Sequence, residues 1–420
     1  MNRQYIIFGV VGLVILIVAV FFVFGVGRNP APPAPVSLTF WGFGDDEEVW
    51  RPVLEAFQKQ YAYITIKYQR FDAGSYEKTL VNRLAEGNGP DVFLLKNSWL
   101  AKERDKIFPL PAVSSPLSFA QFQTIFADGA DALVARDGSL FGLPLFMDSL
   151  ALFYNKDVFD AAGIAAPPKT WEDVVTLSRK FTKIAPSGDV VTSGVALGSA
   201  RNIPHALELI SSLMLQKGEV IARPDGHMEL GAGAEAALTF YTSFGDSSNQ
   251  NFSWNSRMGD AFDAFAEGNL AMTFGFSDDI EKIRIKNPHL NFGVAPLPQF
   301  TGGSARTYGA YVFPTVSRLS QNQIAAWQFV FFATSHDANQ LYLKASHRPP
   351  VRRDLITAAG QAGEAGIFAS QALISRDWPI PDEDATRRIF NDAIDAVQAR
   401  SSTSAQALGK IREQMQLLFP

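Results

Sequence analysis

The chain is 420 residues long, 47% hydrophobic and 19% charged, with a formal net charge of −5. That length exceeds one ordinary core and predicts two domains. The charge balance excludes the basic stripe of a nucleic-acid binder, and the absence of cysteine excludes disulfides, thiolate metal sites and cysteine nucleophiles.

Tyr5 to Gly27 is uncharged and almost wholly apolar. At about 1.5 Å per residue it spans roughly 35 Å, enough to cross a bilayer. An uncleaved single-pass anchor over residues 1–27 is expected, with cleavage as a signal segment the alternative. RNPAPPAPV (28–36) carries four prolines in nine residues. It reads as a semi-rigid polyproline spacer of roughly 28 Å that holds the following part off the membrane, with a disordered linker that has no spacing role the alternative.

From Ser37 the pattern alternates between strand and helix. SLTFW (37–41) is a predicted strand. A helix follows in which Trp50, Leu54, Phe57 and Tyr61 recur at helical spacing behind the acids 45–48. Those acids read as anions at a helix N-terminus. ITIKYQRF (64–71) has period two, SYEKTLVNRLAEGNG is a helix closed by glycines, and PDVFLL (90–95) is a short buried strand. This order argues for an α/β domain. Later, Thr170 and Asp173 have capping-box spacing ahead of the helix WEDVVTLSRKF. VTSGVALG (191–198) is a predicted strand, HALELISSLMLQKG a helix, and GAGAEA (231–236) a turn into another helix. DAFDAFAEGNLAMTF gives a helix, a break at Gly268 and a strand. Beyond LNFGVAPLP, TYGAYVFPTVS and NQIAAWQFVFFAT, the tail from Asp382 holds two helices around a Ser/Thr turn at 401–404.

Asp278 and Asp279 follow a predicted strand and precede IEKIRI, in the kind of strand-to-helix loop where α/β sheets place ligand groups. Trp41, Trp99, Tyr308 and Tyr311 sit at strand ends beside polar residues. An aromatic face with nearby polar groups suits a sugar, whose ring carries both C–H faces and hydroxyls. The five histidines show no metal-ligand spacing, and no metal or other cofactor is expected. Asp148 and Ser149 interrupt an apolar run in FGLPLFMDSLALFYNKDVF, where a buried carboxylate needs a partner.

The order of these segments resembles the extracellular solute-binding proteins of ABC importers, in the maltose-binding-protein-like group. The resemblance runs from Ser37 to the C-terminus. Its carriers are LAEGNGPDVFLL, FGLPLFMDSLALFYNKDVFDAAGIAAPPKTWEDV, DAFAEGNLAMTFGFSDDI, FGVAPLP, YGAYVFPTVS and HRPPVRRDLI. Two departures stand out. Many relatives begin with a lipidated cysteine, and many carry a tryptophan where this chain has Ser277 and Asp278.

The resemblance implies a two-lobed periplasmic-binding-protein-like α/β fold, each lobe a mainly parallel sheet flanked by helices, preceded here by one transmembrane helix. It implies a first lobe of 37–147 and 292–340 and a second of 148–291 and 341–420. Chain crossings would fall near 147–149, near 290 and after 335. The ligand would lie between the lobes, which close on it by a hinge motion. Matching positions are Trp41, Asp72, Asn97, Ser98, Tyr308 and Gly309 in the first lobe, and Asp148, Ser277, Asp278 and Arg348 in the second. Asp148 would face the cleft, open to water when the cleft is empty. The implied function is a monomeric, membrane-tethered receptor outside the cytoplasm. It would take a small solute, a carbohydrate first, and deliver it to an ABC permease without covalent chemistry. A polysaccharide-acting envelope enzyme, or a sensory or structural ectodomain on the same fold, is the alternative.

Overall fold

The computed structural model describes residues 34–223, 225–359 and 363–419. The expected membrane helix and most of the proline-rich spacer lie outside the described residues. Among those described, no helix is long and apolar enough to cross a membrane.

The first lobe is built on β1 (Val36–Phe43), β2 (Ile64–Phe71), β3 (Val92–Lys96) and β4 (Phe146–Ser149). β1 pairs in parallel with β2, from Val36↔Ile64 to Phe43↔Phe71, and with β3. Helix α1 (Glu47–Gln60) turns Trp50, Val53 and Phe57 inward, and Trp50 packs edge-on against Phe40 at 4.7 Å. Helix α2 (Ala73–Ala85) buries Tyr76, Leu80 and Leu84.

The second lobe starts at β5 (Ala151–Asn155), flanked by β6 (Met272–Gly275) and β7 (Phe292–Pro296). Its core is closed by α3 (Trp171–Phe181), α4 (Ala206–Gln216), α5 (Ala232–Ser243), α6 (Ser277–Lys286) and two C-terminal helices. Thr170 and Asp173 form the expected capping box at α3. Gly231 is the N-cap of α5, so residues 232–236 of GAGAEA are the start of that helix rather than a turn leading into it. Helix α4 is buried on every side, so its apolar residues, with few exceptions, run all round it rather than along one stripe.

One long strand, β8 (Thr307–Val316), serves both lobes. Its far half pairs antiparallel with β3 and β4, and Tyr311, Phe313 and Val316 join the first core. Tyr308 near its start joins the second core. It also pairs in parallel with β9 (Ser375–Arg376). Beyond it, α7 (Gln323–Ala333) and α8 (His336–Ser346) return to the first lobe, where Tyr342 packs on Trp50 at 4.9 Å. The C-terminal helices are α9 (Glu383–Gln398) and α10 (Ser404–Gln416).

Several expectations are corrected by this arrangement. The second-lobe sheet is antiparallel, because β5 lies between two strands that both run against it. The first-lobe sheet is mainly parallel, as expected, with β8 entering it in reverse. Residues 292–300 belong with the second core rather than the first, since β7 is hydrogen-bonded to β5 along its whole length. Tyr342, Val351 and Ile356 pack in the first core, not the second. The crossings therefore fall at Leu150, within β8 at Tyr308–Ala310, and over Ile356–Trp378, where Phe368 packs in the second core and Ala372 in the first; none falls near 290, and the one expected after 335 lies in this last stretch. The chain at Leu150 is tied to its neighbour at the crossing: Leu150 N–H donates to the Tyr308 carbonyl at 3.1 Å, and Thr307 Oγ1 donates to the Leu150 carbonyl at 2.9 Å. Finally, 191–198 is not one strand. Only Val190–Thr192 forms a short ladder; Gly198 has a left-handed φ of +99°, and Gly194 lies so close to the Ser178 backbone that a Cβ has no room.

Candidate functional site

The ends of β1, β3, β4 and β8 meet the starts of α4, α6 and α9 across a cleft of about 430 Å³. Phe43, Lys96, Asn97, Ser98, Phe146, Asp148 and Arg348 line the first-lobe side, and Tyr308, His205, Glu208, Phe276, Asp278, Asp279, Lys282, Glu383 and Arg387 the other. A larger hollow of about 960 Å³ lies on the first lobe between α1, α7, α8 and the 108–116 loop. Apolar side chains make up most of its wall and Asp337 is its one ionisable carboxylate. The inter-lobe cleft, with convergent polar and charged groups over aromatic walls, is the better candidate for solute recognition.

Asp148 stands on β4 of the first-lobe sheet, not in the second lobe as expected, and finds its partner across the lobes. Its Oδ2 accepts from Ser277 N–H at 2.9 Å and from Ser277 Oγ at 2.6 Å. Its Oδ1 accepts from Ser149 N–H at 2.8 Å. Asp148 is only 5% exposed. Burial pushes its carboxyl up to about 7, with Asp278 adding repulsion, although the Ser277 and Ser149 donors oppose the rise. The expectation of a carboxylate open to water is thus corrected. The first turn of α6 covers it, and Ser277 N–H is one of the helix-end donors that has no partner within its own helix.

Arg348 makes a second bridge. It donates to Asp278 of α6 and, at 3.4 Å, to Asp45 of its own lobe, with its guanidinium 4.8 Å over the Phe146 ring. Burial opposes the Arg348 charge, but the two carboxylates outweigh it and hold it fully protonated. Arg348 therefore acts from the first lobe, not the second as expected, because it follows α8, which packs on α1. Asp45 departs from the helix-start reading of the acid run: it also accepts from Tyr342 O–H at 2.6 Å. Glu47 and Glu48 do occupy the first turn of α1.

Asn97 and Ser98, in a short turn after β3, complete the bridging. Asn97 Nδ2 donates to the Gly309 carbonyl at 3.1 Å and to Asp377 at 2.9 Å. Ser98 Oγ donates to Glu383 at 2.8 Å. Farther out, Lys102 pairs with Asp382 at 3.1 Å. These contacts join the two lobes across the cleft in the described structure.

The other expected residues stand differently. Tyr308 lines the cleft, but from the second core rather than the first lobe as expected. Gly309 lies behind it, where a Cβ would meet Ser375 Cβ at 2.8 Å, and it contributes its carbonyl to Asn97. Trp41 is turned into the first core against Phe71 at 4.6 Å. Asp72 is exposed and caps α2 through Gly74 N–H at 2.9 Å. Neither Trp41 nor Asp72 reaches the cleft lining. Asp278 and Asp279 fall in the first turn of α6 rather than in a loop before it.

Sequence reasoning singled out Asp279 but missed its partners His205 and Lys282, and missed the Glu208–Arg387 pair altogether. Asp279 accepts from His205 at 2.8 Å and Lys282 at 2.7 Å. Burial disfavours its charge, but those two partners outweigh burial and hold it at about 2. Glu208 pairs with Arg387 at 2.6 Å, and Arg387 also reaches Glu383 at 3.3 Å. Burial likewise disfavours Glu208's charge, yet Arg387 keeps its pKa below the ordinary value. The available signal was the carboxylate in the apolar run HALELISSLM, which in a buried helix demands a cation. Arg387 lies 179 residues away, beyond any local pattern.

The family model for bacterial extracellular solute-binding proteins matches residues 43–340. A binding protein of Brucella abortus (strain 2308) is 23% identical over 327 residues, 77% of this chain and 77% of that one. Among solved structures, a cyclo/maltodextrin-binding protein complexed with maltotetraose superposes with a TM-score of 0.75 at 19% identity, covering 92% of this chain and 98% of that one. The sugar-binding protein MalE of Xanthomonas citri gives 0.74 at 21% identity, covering 91% and 97%.

Proposed function

The chain belongs to the bacterial extracellular solute-binding proteins, and from that premise we propose that it is the receptor of an ABC importer. It takes a carbohydrate between its lobes and presents it to a permease. The observation that carries this reading is the cleft itself. Polar groups from both lobes converge on one cavity beside Phe43, Phe146, Phe276 and Tyr308, the mixture of ring faces and hydrogen-bonding groups that a sugar needs. The structural neighbours that share the fold include proteins named for maltodextrin and sugar binding.

In this reading the crossings at Leu150, Tyr308–Ala310 and between Ile356 and Trp378 form the hinge. Closure brings Asp148 to Ser277 and Arg348 to Asp278. A ligand favours the closed form by contacts that only both lobes together can make. The residues proposed to touch ligand are Asn97, Ser98, Asp148, Tyr308 and Arg348, with Ser277 and Asp278 holding the rim. The apolar segment before residue 28 is proposed to tether a monomeric ectodomain outside the cytoplasm, with the proline-rich segment as spacer. The role is binding rather than catalysis, in keeping with the family to which the chain belongs.

A thermal-shift screen of sugars, polyols and peptides tests the proposal. A ligand at 100 times its Kd adds about 2.7 kcal/mol to the stability of the form it binds. Stabilisation by one saccharide class is expected. Stabilisation by peptides alone would overturn the carbohydrate assignment.

A further inference from the structure

The cleft's ionic groups are unevenly satisfied. Its carboxylates each have protein donors: Asp148 has Ser277 and Ser149, Asp278 has Arg348, Asp279 has His205 and Lys282, and Glu208 and Glu383 share Arg387. The same pairs use up Lys282, Arg348 and Arg387 as cations. One cation is left over. Among the described residues, Lys96 lines the cleft and meets no carboxylate. Its ammonium instead lies 4.9 Å from the Trp99 ring centroid and 5.9 Å from that of Phe43. A second donor is also unanswered: Arg348 Nε is buried without an acceptor. Both can only donate.

Cation–π contact holds Lys96 in place without neutralising it, since the ring quadrupole carries no net charge. A buried donor such as Arg348 Nε costs free energy until an acceptor arrives. The cleft's charges balance overall, with Arg348 and Arg387 each holding two carboxylates, so the unmet demand is local: an acceptor for Arg348 Nε and an anionic group beside Lys96. Phe43 stands in the same wall to take the C–H face of a ring.

We infer that the solute is an acidic saccharide, a sugar carrying a carboxylate or phosphate group, with Lys96 as the residue that reads its charge. This rests on the carbohydrate reading above and narrows it. Lys96 stands at the C-terminal end of β3, directly before Asn97 and Ser98. One short stretch therefore supplies both the charge reader and two of the residues proposed to reach hydroxyls.

The test is calorimetric titration of the full chain with matched pairs at low salt, where charge contacts are least screened. Glucuronate and galacturonate are set against glucose and galactose, and glucose 1-phosphate is set against glucose. Short oligomers of the same sugars form a second panel. Each acidic sugar that binds is expected to bind at least about ten-fold more tightly than its neutral parent. Carboxylate and phosphate arms separate the two sources of charge. Lys96→Met should bring the acidic-to-neutral ratio close to one, and Lys96→Arg should restore most of it. Neutral sugars binding as tightly as their acidic partners, or a ratio unmoved by Lys96→Met, overturns the inference and leaves the carbohydrate reading standing. If neither panel binds to folded protein, the carbohydrate reading falls, and this inference with it.

Discussion

Asp148→Asn isolates the energetic consequence of burying a carboxylate at the lobe crossing. In the folded chain the carboxyl is raised from 3.8 to about 7. That is roughly 3 pH units, or about 4 kcal/mol at 1.36 kcal/mol per unit. Because the folded value lies above the unfolded one, the folded state holds the proton more strongly between these limits. Stability is therefore greatest below the unfolded value, falls as pH rises, and levels off above about 7. Asparagine does not titrate. Its amide must also set an N–H toward either Ser149 N–H or the Ser277 donors, costing about 1–3 kcal/mol for an unmet buried group, but that cost does not vary with pH. Urea denaturation of both proteins at pH 5 and pH 8 separates the two effects. From pH 5 to pH 8 the natural chain should lose about 2–3 kcal/mol relative to Asp148→Asn. A stability difference that stays constant over that range would refute the claim that burial governs this carboxylate.

The His205–Asp279 pair gives a different pH signature. Burial pulls His205 down, but Asp279 outweighs it and raises the imidazole. Its stabilising share is present below its unfolded value near 6.5 and is lost as pH rises through the folded value, whereas the share from Asp279 is lost as pH falls from 3.8 toward 2. The stability difference between the natural chain and His205→Ala should be largest near pH 4–6, measured by denaturation, and no decline above pH 7 would contradict the pairing. Asp278→Asn removes the outer bridge to Arg348. With the Asp278 side chain 54% exposed, stability should change by less than about 1 kcal/mol, while the radius of gyration from solution scattering should rise as the lobes separate. An unchanged radius would mean that this bridge does not hold the lobes together. Gly194→Ala places a Cβ 2.3 Å from the Ser178 carbonyl oxygen and should cost about 1–3 kcal/mol in chemical denaturation; an unshifted midpoint would show that α3 and the 193–197 segment are not in contact.

Much of the framework was legible because local rules govern it. The period-two run at 64–71 is β2, residue for residue. Trp50 and Phe57 mark the buried face of α1, although Val53 rather than Leu54 completes it. Gly268, with φ +80°, ends the helix before β6, as the break in the pattern requires. Strand direction and lobe membership were less legible because they depend on pairing at a distance. Nothing inside FGVAP says that it pairs with ALFYN in reverse, or that α8 returns to α1. The candidate site divides in the same way. Asp148 stood out because an acid in an apolar run needs a partner, but its partner, Ser277, is 129 residues away. Trp41 was placed in the cleft because it ends a predicted strand; β1 in fact runs on to Phe43, which sets Trp41 into the core and Phe43 at the rim.

The central claim is that a saccharide binds between the lobes. Ala310 lies on β8 in the cleft wall, opposite Asp148 in the strand register, so Ala310→Trp fills the cavity from within the sheet. Titration calorimetry of the full chain and this variant with the saccharide panel tests the claim most directly. The account predicts a binding isotherm for at least one saccharide with the natural chain and none with folded Ala310→Trp. Equal binding by both proteins would contradict it.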